Sequence, residues 1–311
     1  MEALKLDSLS ADQVPDDLKA ATYFDFSAHP FAHQALLDAH TSVCTAIAGI
    51  HEYTANWLHE TISARRDDAQ AWASGEDSPI HCTGRFRVLL EDGAVFEPSV
   101  IVGRDDEDAP HTIYLEADAR VVGARIYLDR GDILVGPGSS IEPGAGIRGP
   151  AIIGGSTEIR QDAYLRGDCV VGSGCTLRGE VKNSVIMDRA DFPHPSYLGD
   201  SLCGYRSHFG NQATAANLGI YAGLAASSER EPIVVACDDK AYDIGRSKMG
   251  VCMGDFCQVG CNSVTDPATF LKPYTIAYSL TRIPKGFYGP NEVLKNKPLA
   301  HGVIERAPYR H

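Results

Sequence analysis

Aliphatic residues recur at every sixth position over a long central stretch of this chain. Small and turn-forming residues fill the intervals, as in VGPGSS, IEPGAG and IRGPAI. The aliphatic positions of the series are Val135, Ile141, Ile147, Ile153, Ile159, Leu165, Val171 and Leu177. A six-residue period is too short for a helical repeat and is typical of a parallel coil, in which each hexad supplies one short strand and one corner. The chain is therefore predicted to be all-β, a parallel β-helix of hexapeptide repeats.

The same period returns further along the chain. Its positions there are Met253, Val259, Leu271, Ala277 and Ile283, and Leu198, Cys203 and Phe209 keep a step close to six. We expect a coil from about residue 93 to 285 within a domain of residues 81–290, interrupted by insertions at 105–131 and 218–245. The first insertion has no chemical cluster and is expected to be a surface loop. The second lies between candidate site residues, so it is expected to cover a ligand.

The two ends of the chain follow other patterns. Between Pro30 and Arg66 apolar residues recur at steps of three, four and seven, which predicts a helix or a helical pair. The polar stretch DDAQAWASGEDSP follows and indicates a linker, so an N-terminal helical region of residues 1–80 is expected. Residues 291–311 are expected to form a C-terminal tail.

Charge and composition exclude several classes of partner. The formal net charge is -13 and the pI about 5.2, which argues against a nucleic-acid or anionic-membrane surface. No apolar run reaches the roughly 20 residues that a membrane span needs. The nine cysteines include no CxxC pair, which indicates reduced thiols. We therefore expect a soluble cytoplasmic protein.

The segment FPHPSYLGDS places His194 between two prolines. Proline fixes its own φ and pushes the preceding residue out of the helical region, so the backbone around His194 is restricted on both sides. An imidazole is also a suitable general base near neutral pH. His194 is thus either an aimed catalytic base or a hydrogen-bonded corner residue of the coil.

The runs GEVKNSVIMDRADFPHPSYLGDSLCGYRSHFGNQATAANLG and DIGRSKMGVCMGDFCQVGCNSV strengthen the catalytic reading. Their E-x-K, H-x-x-Y-x-G-D, downstream Asn and R-x-K-x-G segments resemble the acetyltransferase half of the bifunctional N-acetylglucosamine-1-phosphate uridyltransferase/glucosamine-1-phosphate acetyltransferases, above all the archaeal branch. The resemblance covers residues 93–290 and implies a left-handed β-helix that forms a homotrimer with active sites between subunits. Residues 1–80 are too short for the nucleotidyltransferase domain of that family, so no uridyltransferase activity is expected.

The resemblance also implies residue roles. His194 would be the catalytic base, Glu180 would orient its imidazole or bind the sugar, and Asn217 would contact the reacting amine or the acyl oxygen. Lys182, Tyr197 and Arg166 would contact the sugar phosphate, although the spacing from Arg166 to Glu180 is shorter than in the family.

Two further groups of residues follow from the same resemblance. Lys248 with Arg246 would close the pocket from the neighbouring subunit, and Cys261 and Ala277 would line the groove for coenzyme A. Three more cations are interpreted as solubilising charges in preference to ligands of the coenzyme A phosphates: Lys272, Arg282 and Lys285.

The expected function is an acetyl-CoA-dependent N-acetyltransferase whose chemistry is related to that of UDP-N-acetylglucosamine. Its acceptor would be a glucosamine-1-phosphate-like or nucleotide-linked amino sugar. The alternative is a non-catalytic trimer that binds a sugar nucleotide, because GNQA stands at 210–213 where the family has G-A-G-T. A zinc-dependent carbonic anhydrase on the same kind of coil would need three converging histidines. Only His194 and His208 lie near one another in the coil sequence, so no metal is expected.

Overall fold

The structure is a computed structural model that describes residues 3–65, 70–73, 81–105, 108–296 and 304–308. It divides into two compact units, one of residues 1–49 with 184–311 and the other of residues 50–183. Each unit contains part of a parallel β-solenoid, which confirms the predicted fold class. The domain limits expected at residues 80 and 290 stay a prediction.

The unit of residues 50–183 shows the repeat most plainly. Ile133 pairs with Ala151 and Ala151 with Cys169, so the parallel ladder advances by 18 residues, or three hexads, per turn. All eight positions of the series Val135 to Leu177 are at most 2% exposed, as the periodicity predicted. The strands are Gln70–Ala73, His81–Thr83, Arg85–Leu90, Val95–Glu97, Val100–Val102, Thr112–Leu115, Arg120–Val122, Arg125–Tyr127, Ile133–Val135, Ser140–Ile141, Gly146–Arg148, Ala151–Ile153, Glu158–Ile159, Tyr164–Leu165, Cys169–Val171, Thr176–Leu177 and, across the unit boundary, Glu180–Ile186.

Corners of the coil need one residue in the left-handed region. Gly144 (φ +83°) and Asp162 (φ +63°) occupy the same corner position one turn apart. Glycine and, less readily, aspartate tolerate this conformation. The turn-forming residues between the aliphatic positions are therefore explained by the backbone of the corners.

The prediction of an insertion at 105–131 was wrong. Thr112–Leu115 pairs in parallel with both Arg85–Leu90 and Ile133–Val135, so this stretch is part of the coil. Its hexad pattern is irregular because the step from Val121 to Ile126 is five residues, although both pair in register with the next turn. A search at strict steps of six therefore misses it. Residues 106–107 lie outside the described residues.

In the unit of residues 1–49 and 184–311 the ladder runs from Cys203 to Met253 and then to Leu271. The first of these steps is 50 residues and the second is 18, so an insertion lies within the first, as predicted for 218–245. It holds two short 3-10 helices and the antiparallel strands Val234–Cys237 and Lys240–Asp243, with Leu4–Lys5 as a third strand. The other strands are Asp191–Phe192, Tyr197–Cys203, His208–Phe209, Thr214–Ala215, Val251–Met253, Gln258–Val259, Val264–Thr265, Thr269–Leu271, Ile276–Ala277, Arg282–Ile283, Gly286–Tyr288, Glu292–Asn296 and Ile304–Pro308.

Two strands lie among the C-terminal residues, where a tail was expected. Glu292–Asn296 pairs in parallel with Ile276–Ala277, and Leu294 is buried, so the coil continues past residue 290. Ile304–Pro308 then pairs antiparallel with the same strand. Residues 297–303 and 309–311 lie outside the described residues.

The predicted helical pair is present as Ala35–Asp38 and Val43–Ser63. The longer helix begins after Ser42, whose hydroxyl accepts from the backbone N–H of Thr45 while the Thr45 hydroxyl accepts from that of Ser42. This reciprocal cap satisfies two N–H groups at the helix start. Leu58 and Ile62 are buried as expected, whereas Trp57 is partly exposed. The linker DDAQAWASGEDSP lies largely outside the described residues.

Candidate functional site

His194 is exposed in the loop between strands Asp191–Phe192 and Tyr197–Cys203. It lies near enough to His208 to lower the pKa of that half-buried imidazole, although burial is the larger cause of the lowering. Asp191, which pairs with His208 in the ladder, acts in the opposite direction. The structure thus brings a second histidine to the candidate base, and the proximity of the two in the hexad series was the sequence signal for it.

A group of residues that begins three positions after His194 lies close together, and we name it the Asp200 cluster. Its members are Tyr197, Gly199, Asp200, Asn217 and Arg246. Asn217 Nδ2 donates to Asp200 Oδ2 at 2.6 Å. Arg246 Nη2 donates to Asp200 Oδ1, also at 2.6 Å. Both carboxylate oxygens therefore accept a short hydrogen bond within the cluster.

Asp200 is only 1% exposed and has a φ of +52°, which is unusual for a residue other than glycine. A buried carboxylate needs a charge partner, and the Arg246 guanidinium provides it. Burial lowers the pKa of Arg246, while the nearby Asp200 acts to raise it. The cluster therefore contains a desolvated ion pair, and the positive φ of Asp200 recurs at other non-glycine positions of the coil. Asp200 was part of the H-x-x-Y-x-G-D motif but was not predicted as a site residue.

Gly199 leaves room for two side chains of the cluster to lie over its backbone. A Cβ atom at this position would lie 2.6 Å from Tyr197 Oη and 2.7 Å from Asn217 Nδ2. The phenol and the amide therefore both lie over the Gly199 backbone. The structure thus brings together Tyr197 and Asn217, two of the predicted site residues.

Arg246 and Lys248 were predicted to act in the pocket of a neighbouring subunit. In this chain Arg246 pairs with its own Asp200, and its Nε and Nη1 are buried without a hydrogen-bond partner among the described residues. Lys248 is half-buried two residues further along. The described contacts of Arg246 thus lie within its own chain, and a role in the pocket of a neighbouring subunit stays a prediction.

Glu180, Lys182 and Arg166 belong to the unit of residues 50–183. Arg166 Nη1 donates to Glu180 Oε1 at 2.5 Å, and both side chains are about two-fifths exposed. The Arg166 N–H donates to Val181, which sets Arg166 beside the half-exposed Lys182. The three predicted residues thus form one surface group, in which the carboxylate of Glu180 is engaged by a cation.

The residues predicted for coenzyme A differ in exposure. Ala277 is 2% exposed and lies in register with Val259 and Leu294, both buried, so its side chain belongs to the coil core and does not line a groove. Cys261 is half-buried, with its Sγ close to the Gly210 backbone. Of the three additional cations, Lys272 pairs with Asp17, Arg282 with Asp266, and Lys285 Nζ donates to the Val234 carbonyl. These contacts agree with structural roles for the three cations.

No group of three or more metal-ligating side chains occurs among the residues that the structure describes. Over the same residues, no helix is both long and apolar enough to cross a membrane. All nine cysteines are described, and none forms a disulfide.

The fold and the Asp200 cluster define a hexapeptide-repeat β-solenoid that carries a buried polar site on its coil. No family model matches the chain. Part of it is 31% identical, over 99 residues, to the bifunctional sugar-1-phosphate nucleotidylyltransferase/acetyltransferase of Sulfurisphaera tokodaii, covering 32% of this chain and 23% of that protein. Another part is 37% identical, over 81 residues, to the bifunctional protein GlmU of Methanocaldococcus jannaschii, covering 26% of this chain and 18% of that protein. The chain thus spans less than a quarter of either relative.

Two solved structures are also similar. They are the polySia specific acetyltransferase NeuO, at 11% identity over 71% of this chain and 86% of that chain with a TM-score of 0.25, and the polysialic acid O-acetyltransferase OatWY, at 13% identity over 71% and 84% with a TM-score of 0.24. Values this low support no statement about function.

Proposed function

We propose that this chain is an N-acetyltransferase that moves an acetyl group from acetyl-CoA to the amine of an amino-sugar phosphate or nucleotide-linked amino sugar. The observation that carries the proposal is the arrangement of the H-x-x-Y-x-G-D segment. An exposed His194 precedes a strand on which Tyr197 and Asn217 converge over Gly199. One of the two partial relatives is named as a bifunctional sugar-1-phosphate nucleotidylyltransferase/acetyltransferase, which supports the same chemistry.

In the proposed reaction the uncharged amine attacks the thioester carbonyl of acetyl-CoA. The N–C bond forms, the C–S bond breaks, and His194 accepts the proton that the amine loses. The coenzyme A thiolate leaves and is protonated, so the products are an N-acetyl sugar and the free thiol. Asn217, held by Asp200, is placed to hydrogen-bond the amine or the acyl oxygen.

The family resemblance assigns contacts with the phosphate of the acceptor to Lys182 and to Tyr197. A phosphate dianion favours charge-assisted donors, which an ammonium group supplies. Arg166, which is paired with Glu180, is assigned a further contact with the phosphate. Glu180 then acts by positioning Arg166.

Acetyl-CoA is the co-substrate of this reaction. Cys261 is half-buried and accessible to the pantetheine arm, whereas Ala277 is in the core and Lys272, Arg282 and Lys285 have partners within the chain. Cys261 is therefore the residue that we assign to the coenzyme A groove.

A homotrimer is also proposed. The insertion carries Ile220, Tyr221 and Leu224, which are 89%, 87% and 85% exposed. Three neighbouring large apolar side chains in water are unfavourable, and such patches usually mark protein contacts. A second copy of the chain is the partner that the family resemblance implies.

A thiol-release assay with acetyl-CoA and a panel of amino sugars, with and without a 1-phosphate, tests the function. His194→Ala should lower kcat by about 10²- to 10⁴-fold, the usual contribution of a positioned general base. Lys182→Ala should instead raise KM for the phosphorylated acceptor. His81→Ala, at an exposed histidine of the other compact unit, is the matched control and should leave both constants unchanged.

The non-catalytic alternative is favoured by one observation. Gln212 is exposed at a corner with φ +58°, inside the GNQA segment where the family has glycine, so a side chain occupies space near the candidate pocket. If every amino sugar fails to release thiol while calorimetry detects binding of a sugar nucleotide, the chain is a binding protein.

A further inference from the structure

The unit of residues 50–183 contains a polar cavity that no predicted site residue lines. Its volume is about 490 Å³, and it is bounded by one face of the helix Val43–Ser63 and by the coil strands beneath it. The charged and imidazole side chains that line it on the basic side are His51, His59, Arg87, Arg104, His111 and Arg130. Three of the six are arginines, in a chain whose formal net charge is -13.

The cavity wall is held in place by a row of side-chain contacts. Arg104 Nη2 donates to Asp108 Oδ2 at 2.7 Å, and Arg104 Nη1 lies 3.4 Å from His111 Nε2. On the far side of that ring, His111 Nδ1 lies 3.5 Å from Asp132 Oδ1, which also accepts from the Thr112 N–H at 2.6 Å. The polar groups are therefore positioned before any ligand arrives, which reduces the cost of ordering them on binding.

The charge balance favours an anion. Three arginines line the cavity against two carboxylates, and the carboxylate of Asp132 is engaged by the Thr112 N–H and by His111. Arg130 Nε lies 3.6 Å from Asp129 Oδ2, but the Arg130 side chain is 69% exposed, so its guanidinium is accessible to a ligand. Arginine forks match phosphate oxygens in geometry and charge.

The remaining lining groups indicate what the anion is attached to. The described lining includes no phenylalanine, tyrosine or tryptophan, so only imidazole rings and guanidinium planes could stack on a nucleobase there. Asn56, Ser63 and Thr112 contribute amide and hydroxyl groups that can bond to hydroxyls. The volume lies within the range of small-molecule sites.

We propose that this cavity binds a hydroxyl-rich small molecule bearing a phosphate group, independently of the acetyl-transfer site. The proposal does not rest on the proposed function, because none of the residues that it uses belongs to the Asp200 cluster or to the group of Glu180, Lys182 and Arg166.

Calorimetric titration of the full chain with a hexose 1-phosphate that has no amine tests the proposal. Such a probe cannot be acetylated, so binding is measured apart from turnover. Inorganic phosphate and adenosine monophosphate serve as comparison ligands, and the hexose phosphate should bind most tightly of the three. Arg87→Gln and Arg130→Gln should each weaken its binding by about tenfold, the usual effect of losing one charge-assisted hydrogen bond.

Asp108→Asn should change the affinity for the hexose phosphate in the opposite direction. Its side chain is 74% exposed, so the fold should tolerate the change, and removal of a negative charge should tighten binding of the hexose phosphate by about threefold. Arg120→Gln, at an exposed arginine outside the cavity, should have no effect. Circular dichroism of each variant verifies that it is folded.

Three results would overturn the proposal. The first is no detectable heat with the hexose phosphate at millimolar concentration. The second is binding that Lys182→Ala abolishes and Arg87→Gln leaves unchanged, which would assign the ligand to the acetyl-transfer site. The third is weaker binding of the hexose phosphate in Asp108→Asn, which would contradict the argument from charge balance.

Discussion

The ion pair between Asp200 and Arg246 gives the sharpest test of the candidate site. Asp200→Asn preserves the size of the side chain and removes its charge, which leaves the guanidinium of Arg246 buried beside a neutral amide. Breaking a buried ion pair from one side costs about 3–5 kcal/mol. The Arg246 side chain is 20% exposed, so some solvent compensates it, and we expect a loss of about 3 kcal/mol in the free energy of unfolding.

A double-mutant cycle separates the pair from other effects. Arg246→Met alone leaves a buried carboxylate that still accepts from Asn217, and should cost about 2–3 kcal/mol. The double variant buries no charge, so it should recover at least half of the summed losses. Urea denaturation followed by circular dichroism measures each value. At a slope of about 3 kcal/mol per molar urea, a loss of 3 kcal/mol moves the midpoint by about 1 M.

The chain also contains a matched control. Arg282 pairs with Asp266 through two nitrogens in the same compact unit, but the Arg282 side chain is 73% exposed. Asp266→Asn should therefore cost less than about 1 kcal/mol. If Asp200→Asn is no more destabilising than Asp266→Asn, or if the two substitutions at the cluster are simply additive, the reasoning about a desolvated pair is wrong.

Three further predictions follow from other residues. Gly199→Ala should cost about 1–3 kcal/mol of stability and lower kcat in the thiol-release assay, because its Cβ would displace Tyr197 and Asn217; parent-like stability and kcat would contradict this packing. Burial lowers the pKa of His33 to about 4, so about 3 kcal/mol of the free energy of unfolding is lost as the pH falls from 6.5 to 4. Urea titrations over this pH range should show that loss in the parent and not in His33→Leu, and the same pH dependence in both proteins would refute the prediction. Leu224→Glu should reduce the trimer mass found by light scattering at micromolar concentration, and a parent protein of monomer mass would refute the assembly itself.

The coil was predictable because its signal is local and repeated. Each hexad places one aliphatic residue on the axis, so Ile141, Ile159 and Leu177 could be assigned to the core from spacing alone, and all three are buried. The prediction failed at 105–131, where a five-residue step between Val121 and Ile126 breaks the count. The ladder tolerates that step because register is set by hydrogen bonding to the next turn and not by even spacing along the chain.

Part of the candidate site followed from the sequence as well. The motif around His194 predicted Tyr197 and Asn217, which meet over Gly199. The motif did not predict that Asp200 would be buried, or that Arg246, 46 residues away, would be its partner. A long insertion separates the two, and sequence spacing across an insertion says nothing about distance in space.

The sequence by itself determined the fold class and the helical pair, since each depends on residues within a few positions of one another. The tertiary structure decided which charges are paired, which small residues are core, and where a cavity opens. Ala277 illustrates the difference: its small size suited both a groove and a core, and only its register between Val259 and Leu294 assigned it to the core. Burial and charge pairing depend on neighbours that the fold brings from distant parts of the chain, so no local pattern encodes them.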